Sequence, residues 1–160
     1  MEVCPSIVLN SDASENVAYN NPDFPAYIKK GQLSRYPDFR AVSHWHDDLE
    51  FILILDGQMF YDVNGQKISL QAGEGIFVNS RCFHYGYSDT HTECLFTCIM
   101  LSPQLLSVNT YFVEKCLNPL IQNIHFPYQP LNPSILWQNS ILRDLEMLYK
   151  KNVDEIQPFI

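Results

Sequence analysis

Hydrophobic positions along the chain follow two periods, and the change between them divides it. Positions 51–55 (FILIL) form an unbroken apolar run. Beyond it, Met59, Tyr61 and Val63 alternate with Gln58, Phe60 and Asp62, and Ile68 and Leu70 alternate with Lys67 and Ser69. A period of two is that of a strand with one buried face. Asp56-Gly57 and Asn64-Gly65, eight residues apart, are the strongest two-residue hairpin signatures. The pattern predicts a β-meander with strands over 50–55, 58–63 and 66–70.

Turn residues at 72–75 (AGEG) and 79–81 (NSR) bound further short strands over 76–78, 83–87 and 93–101. Upstream, 24–30 (FPAYIKK) holds a short first strand, followed by turn chemistry at Tyr36-Pro37-Asp38. Short strands at this spacing mean a sandwich or small barrel. Residues 1–23 are mixed and polar and read either as an arm or as an edge strand. After residue 101 the period lengthens. Ser102-Pro103 is a helix cap, and a helix over part of 104–117 is expected to end at Asn118-Pro119. Positions 122–130 read as loop, and Asn132-Pro133 starts a second helix. In that helix Ile135, Leu136, Ile141, Leu142, Leu145, Leu148 and Tyr149 follow three- and four-residue spacing, with a Glu146–Lys150 pair on the polar side. The fold class is therefore mainly β, followed by C-terminal helices.

Composition narrows the function classes. At 160 residues one domain is the default. The formal net charge is -8 and the ten basic residues are scattered, which argues against a grip on nucleic acid by this chain alone. Five cysteines make an odd count with no CxxC spacing. The start lacks a basic, apolar leader, and no apolar run reaches the roughly 18 residues of a spanning helix. These features predict a cytoplasmic protein with reduced thiols and no membrane contact.

The candidate chemistry lies beside the apolar run. On a strand His44 and His46 project from the same face, and Glu50 follows. A straight chain would carry Glu50 about 13 Å past His46, at ~3.3 Å per residue. For the three to share a site the chain must turn at Asp47-Asp48, which are good turn residues. A later strand histidine, His84, completes the set. Two readings stand: ligands of a divalent transition metal, or hydrogen bonds across a turn. Aromatics at Phe60, Tyr61, Phe77, Phe83, Tyr85 and Tyr87 divide between core filling and a cavity wall. Arg81 reads as a solvated turn charge, and His91 and His125 carry no role.

His44-x-His46, three residues, Glu50, six residues, Gly57 resembles the first motif of the cupin family. The stretch 73–84 (GEGIFVNSRCFH) resembles the second, with Glu74 in place of an aspartate, Ser80-Arg81 in place of Pro-Gly, and Ser88 in place of an asparagine. More narrowly, HWHDDLEFILILDGQ, IFVNSRCFH, ECLFTCIMLSPQLL and FPAYIKKGQLSRYPDF are similar to the ligand-sensing N-terminal domain of AraC-type bacterial transcription regulators. The likeness covers roughly 24–150 and is strongest over 43–106. It implies an arm over 1–23 and a cupin-like double-stranded β-helix (jelly-roll) barrel over 24–101 that binds a small, sugar-like effector. It implies that His44, His46, Glu50 and His84 gather in the barrel mouth, as metal or effector ligands, with Tyr61 and Tyr85 beside them. It implies a helical dimerisation and linker segment over 102–160, with Ile135, Ile141, Leu142, Leu145 and Leu148 in a homodimer. DNA would be read by a helix-turn-helix module after Ile160. The expected role is sensing rather than catalysis. The alternative is a metal-dependent cupin enzyme, an oxygenase or isomerase, built on the same four residues.

Overall fold

A strand of 15 residues, β2 (Leu49–Val63), runs through both sheets of the protein. The structure is a computed structural model that describes residues 7–155, with side chains through residue 152; Cys4 and the apolar tail at 156–160 lie outside the described residues. The first half of β2 pairs antiparallel with β4 (Gly75–Val78) and β6 (Cys94–Leu101). Flanked by β1 (Ala26–Gln32) and β7 (Tyr128–Leu131), this sheet runs β1-β6-β2-β4-β7. The second half of β2 pairs with β3 (Gln66–Gln71) and β5 (His84–Tyr87). The architecture is mainly antiparallel β, consistent with a double-stranded β-helix, but the container is not a closed barrel. Its sheet order ends at β1 on one side and β7 on the other. β7 carries Pro130, which has no N–H to offer a further ladder, so it suits an edge.

The hairpin expected at Asp56-Gly57 does not form. The strand continues there, and its register against β6 shifts between Ile54 and Asp56. This is a β-bulge, which bends the strand from one sheet into the other. Gly57 has φ 79, and a Cβ there would lie 2.2 Å from the Glu93 carbonyl oxygen. The signature thus marks a left-handed residue, and the bulge rather than a turn uses it. Asn64-Gly65 does close the β2–β3 hairpin, with φ 50 and 83, both positive as a type I′ turn requires.

The apolar run of β2 is uninterrupted because both faces are covered. Ile52 and Ile54 face the interior with Leu33, Val78 and Phe96. Leu53 faces outward onto Leu142 and Leu145 of α3 (Leu136–Glu155). Leu49 packs with Phe77 and Leu117 under the shorter helices. Those are α1 (Thr110–Phe112), a π turn over Val113–Leu117 and α2 (Asn118–Ile121) in direct succession. Pro119 therefore does not interrupt the helix as expected. Its ring would crowd the carbonyl four residues back, and the wider π turn, with Asn118 N–H donating to the Val113 carbonyl, makes room.

β7 was legible only as loop, being short and containing proline. Leu142 and Leu145 are buried against their own sheet, which removes them from the expected dimer face. Ile141 is half-buried in the same cluster, whereas Ile135 and Leu148 are exposed, alongside Leu136, Trp137 and Met147. Among the described residues Cys82, Cys94, Cys98 and Cys116 are free thiols. No helix among them is long and apolar enough to cross a membrane.

Candidate metal centre

Three segments deliver the site. His44 lies in a short stretch that pairs with β5, and His44 and His84 exchange backbone hydrogen bonds of 3.2 and 2.9 Å, so their side chains stand on one face. His84 in turn faces Val63 of β2. The chain bends at Asp47-Asp48, as the residue types predict, and β2 then brings Glu50 back beside His46. Glu50 Oε2 lies 2.9 Å from His46 Nε2 and 3.1 Å from His84 Nε2. The ligand atoms of His44, His46, Glu50 and His84 all lie within 4.8 Å of one another, and all four residues are buried.

The imidazoles are oriented by their own neighbours. His44 Nδ1 donates to the Val42 carbonyl at 2.7 Å, His46 Nδ1 to Asp48 at 3.0 Å, and His84 Nδ1 to Cys82 at 2.8 Å. Each carbonyl belongs to a residue two positions away, so the backbone itself sets the ring. With the proton held on Nδ1, a neutral ring presents an Nε2 lone pair inward. Two of those lone pairs face the acceptor-only oxygen of Glu50. Such an arrangement requires positive charge at its centre, either protons on Nε2 or a cation.

The electrostatics agree. Burial works to raise the Glu50 carboxyl, but His84 and His46 beside it outweigh that and hold it well below the usual carboxylate range. Burial works to lower His46, yet its hydrogen bond to Glu50 and the charges of Glu50 and Glu15 raise it. Burial, reinforced by the His84 charge, pushes His44 down to about 4. The hydroxyl of Tyr61, itself buried, donates to Glu50 Oε1. It thereby fixes the carboxylate with Oε2 toward the histidines.

A cavity of about 70 Å³ opens beside the centre, lined by Glu50, Tyr61, Tyr27, Tyr36, Phe96 and Met59 among others. That is several-fold below the roughly 300 Å³ at which pockets hold drug-sized ligands. Of the residues predicted for the site, His44, His46, Glu50, His84 and Tyr61 come together. Tyr85 borders the cavity but pairs with Asp62, opposite in face to His84; its ring packs 5.3 Å from Tyr87, with Arg40 5.5 Å over it. Phe60 and Tyr87 share that outer face, Phe77 lies under the helices, and Phe83 is exposed. The interior aromatics beside Tyr61 are Tyr27, Tyr36 and Phe96, none of them among the aromatics expected at the cavity wall.

Arg81 is exposed and paired with Asp47 at 2.6 Å. It adopts φ 61, the left-handed conformation for which glycine is best suited, and its N–H donates to the His46 carbonyl at 2.8 Å. Burial pushes the Cys82 thiol up, away from reactivity.

Residues 36–100 match the cupin domain family, and the span contains all four residues of the centre. Over 138 residues the chain is 26% identical to a protein of Bacillus subtilis described as the uncharacterized HTH-type transcriptional regulator YdeC. The match covers 86% of this chain but only 47% of that relative, so the chain spans about half its length. Similar solved structures include a cupin-like protein of Thermotoga maritima, at TM-score 0.48 and 18% identity over 60% of this chain and 77% of that one. A predicted oxalate decarboxylase of the same organism matches at 0.44 and 22%, over 49% and 68%. A salicylate 1,2-dioxygenase of Pseudaminobacter salicylatoxidans matches at 0.43 and 22%, over 48% and 22%.

The donor set fits a divalent transition metal: imidazole nitrogens with fixed outer hydrogen bonds, plus a carboxylate with its own supporting hydroxyl. A cation bound there would supply a Lewis-acidic anchor for an oxygen donor.

Proposed function

We propose that this chain is the effector-binding and dimerisation part of an AraC-type bacterial transcription regulator, working in the cytoplasm, with DNA read by a module outside the chain. The observation that carries this reading is the likeness, along 86% of the chain, to a helix-turn-helix regulator of about twice its length. His44, His46, His84 and Glu50 bind the effector through a shared divalent cation, and Tyr61 orients Glu50 for that task. Their work is to bind and orient rather than to turn over. Occupancy then shifts the population between two placements of the surrounding segments, through contacts made in only one of them. The apolar face of α3 at Leu136, Trp137, Met147 and Leu148, with Ile135 just before the helix, is the surface offered to a second copy.

A metal-dependent cupin enzyme, an oxygenase or isomerase, is the second reading, and the donor set of three imidazoles and one carboxylate favours it. One experiment separates them. Metal-loaded protein is screened by thermal shift against small carboxylates and sugars, and each compound is recovered and analysed. A compound that raises the melting temperature and is recovered unchanged supports the sensor. Conversion of a compound to product overturns it in favour of the enzyme.

A further inference from the structure

The arm delivers a fifth group to the centre, one that the sequence motifs do not single out. Residues 9–15 fold back as a hairpin in which Leu9 pairs with Glu15 and Asp12 Oδ1 accepts from the Ser14 N–H at 3.0 Å. The turn passes through Ala13 with φ 65. The hairpin docks on the segment that carries the histidines. Glu15 N–H donates to the Trp45 carbonyl at 2.8 Å, Trp45 N–H to the Ala13 carbonyl at 3.2 Å, and the Trp45 indole N–H to the Asp12 carbonyl at 3.0 Å. That register sets Glu15 Oε2 3.5 Å from His44 Nε2 and 4.0 Å from His46 Nε2, with its side chain only 12% exposed. Glu15 thus stands at the edge of the centre, within 4.0 Å of two of its imidazoles and outside the set of four whose ligand atoms all lie within 4.8 Å of one another. A buried carboxyl group either keeps a proton or meets positive charge, and two imidazoles stand within 4.0 Å of this one.

The surroundings indicate what can take its place. Ile7 and Glu15 both line the interior cavity, which measures about 70 Å³ with the arm seated. A cleft of about 450 Å³ follows the outer side of the arm, shares Ile7, Glu15 and Tyr27 with that cavity, and is bordered by Lys29, Lys30 and Arg35. Lys29 and Lys30 thus bring positive charge to this seam in a chain of net charge -8. Clustered positive charge at a cleft raises the local concentration of anions. The arm meets the histidine segment through a few backbone hydrogen bonds, the kind of attachment that opens at low free energy.

We propose that Glu15 is a ligand of the His44–His46–His84–Glu50 centre and stands in for the effector, a small carboxylate that enters along the basic seam and binds by replacing it. The proposal rests on reading the centre as a cation site. An external carboxylate with a short apolar body reproduces what Glu15 and Ile7 occupy. Because Glu15 is tethered, it competes at an effective concentration on the order of millimolar.

Cobalt(II) titration followed by visible absorption tests this in the wild type, Glu15→Gln and Glu15→Ala. Cobalt is expected to bind all three, about tenfold more weakly in the variants, the low end for loss of a group supporting a metal site. The Glu15→Ala spectrum is expected to differ from wild type, and acetate, but not acetamide, to restore it. In the wild type, acetate raised well above that millimolar effective concentration is expected to shift the spectrum and to expose the Trp45 amide, bonded to the Ala13 carbonyl, to hydrogen exchange; a wild type unmoved by it would overturn the replacement of Glu15. Glu15→Gln keeps the backbone bonds to Trp45, so its spectrum remains informative if Glu15→Ala misfolds. Equal affinity and identical spectra in wild type and Glu15→Gln, with no response to acetate, would overturn the role of Glu15 and leave the metal centre standing. Absence of cobalt binding in the wild type would overturn the centre itself, and this proposal with it.

Discussion

Replacing Tyr61 by phenylalanine removes one hydroxyl and nothing else from the interior. The ring stays, so no cavity of consequence forms, and the loss is that of one donor to the buried Glu50 carboxylate. Hydrogen bonds to charged groups contribute about 1.5–3 kcal/mol. Glu50 Oε2 keeps its histidine contacts at 2.9 and 3.1 Å, so the carboxylate is not wholly abandoned, and the middle of that range applies. We expect a loss of about 2 kcal/mol, or a fall in melting temperature of about 4–8 °C for a chain of this size. Divalent-metal affinity should weaken about 10- to 100-fold, because the hydroxyl orients a ligand rather than being one. Both effects should depend on Glu50. In a Glu50→Gln background the same change should destabilise by at least about 1 kcal/mol less, a coupling that a double-mutant cycle measures. Denaturant unfolding at neutral pH and zinc titration of the four proteins provide the numbers. Equal destabilisation by Tyr61→Phe in both backgrounds would refute the assigned bond, and the positioning argument with it.

Other substitutions probe the frame around the site. Gly57→Ala should destabilise by about 3 kcal/mol or more, since φ 79 disfavours a side chain and the new Cβ would meet the Glu93 carbonyl at 2.2 Å; guanidinium unfolding checks it. Glu93 accepts hydrogen bonds from Gln32 Nε2, Ser34 N–H and Cys94 N–H. Burial works to raise its pKa, but these donors outweigh it and hold the carboxyl down at about 2, against an ordinary 4.5. Its contribution is therefore complete above about 4.5 and lost as pH falls through about 2, so stability should drop less steeply across that window in Glu93→Gln than in wild type. Trp137→Ser with Leu148→Ser, both on the exposed face of α3, should shift sedimentation toward monomer while leaving the melting temperature of the monomer within about 0.5 kcal/mol equivalent of wild type. Unchanged sedimentation would place any dimer contact elsewhere.

Much of the site was legible because its spacing is enforced by local geometry. An alternating histidine pair, a bend at two aspartates and a strand-borne glutamate need only short-range rules to converge. His84 was legible as the last residue of the second motif, and β5 pairing with the His44 segment supplies the missing dimension. Glu15 was not legible. It reaches the centre through a hairpin that Ala13 turns in a left-handed conformation, with no glycine or Asn-Gly to announce it. The interior aromatics were misplaced for a related reason. Alternation along β5 assigns a face only once register is known, and pairing of Asp62 with Tyr85 sends that ring outward. Asp56-Gly57 shows the limit of a turn signature: it identifies a positive φ, and both a hairpin and a bulge satisfy it. Pro119 was read as a helix break because the compensating π turn has no sequence mark. Leu142 and Leu145 were assigned to a partner when their own sheet buries them, since an apolar helical stripe does not say which surface covers it.

Inward-facing imidazole nitrogens and a buried carboxylate call for positive charge at the centre, and a divalent cation would supply it. Calorimetric titration of the metal-free protein with zinc, for wild type and for His84→Ala, tests this most directly. The prediction is saturable binding of one ion per chain with release of protons, and loss of that binding in His84→Ala. Wild-type protein that takes up no zinc, or that binds it equally well without His84, would contradict the centre described here.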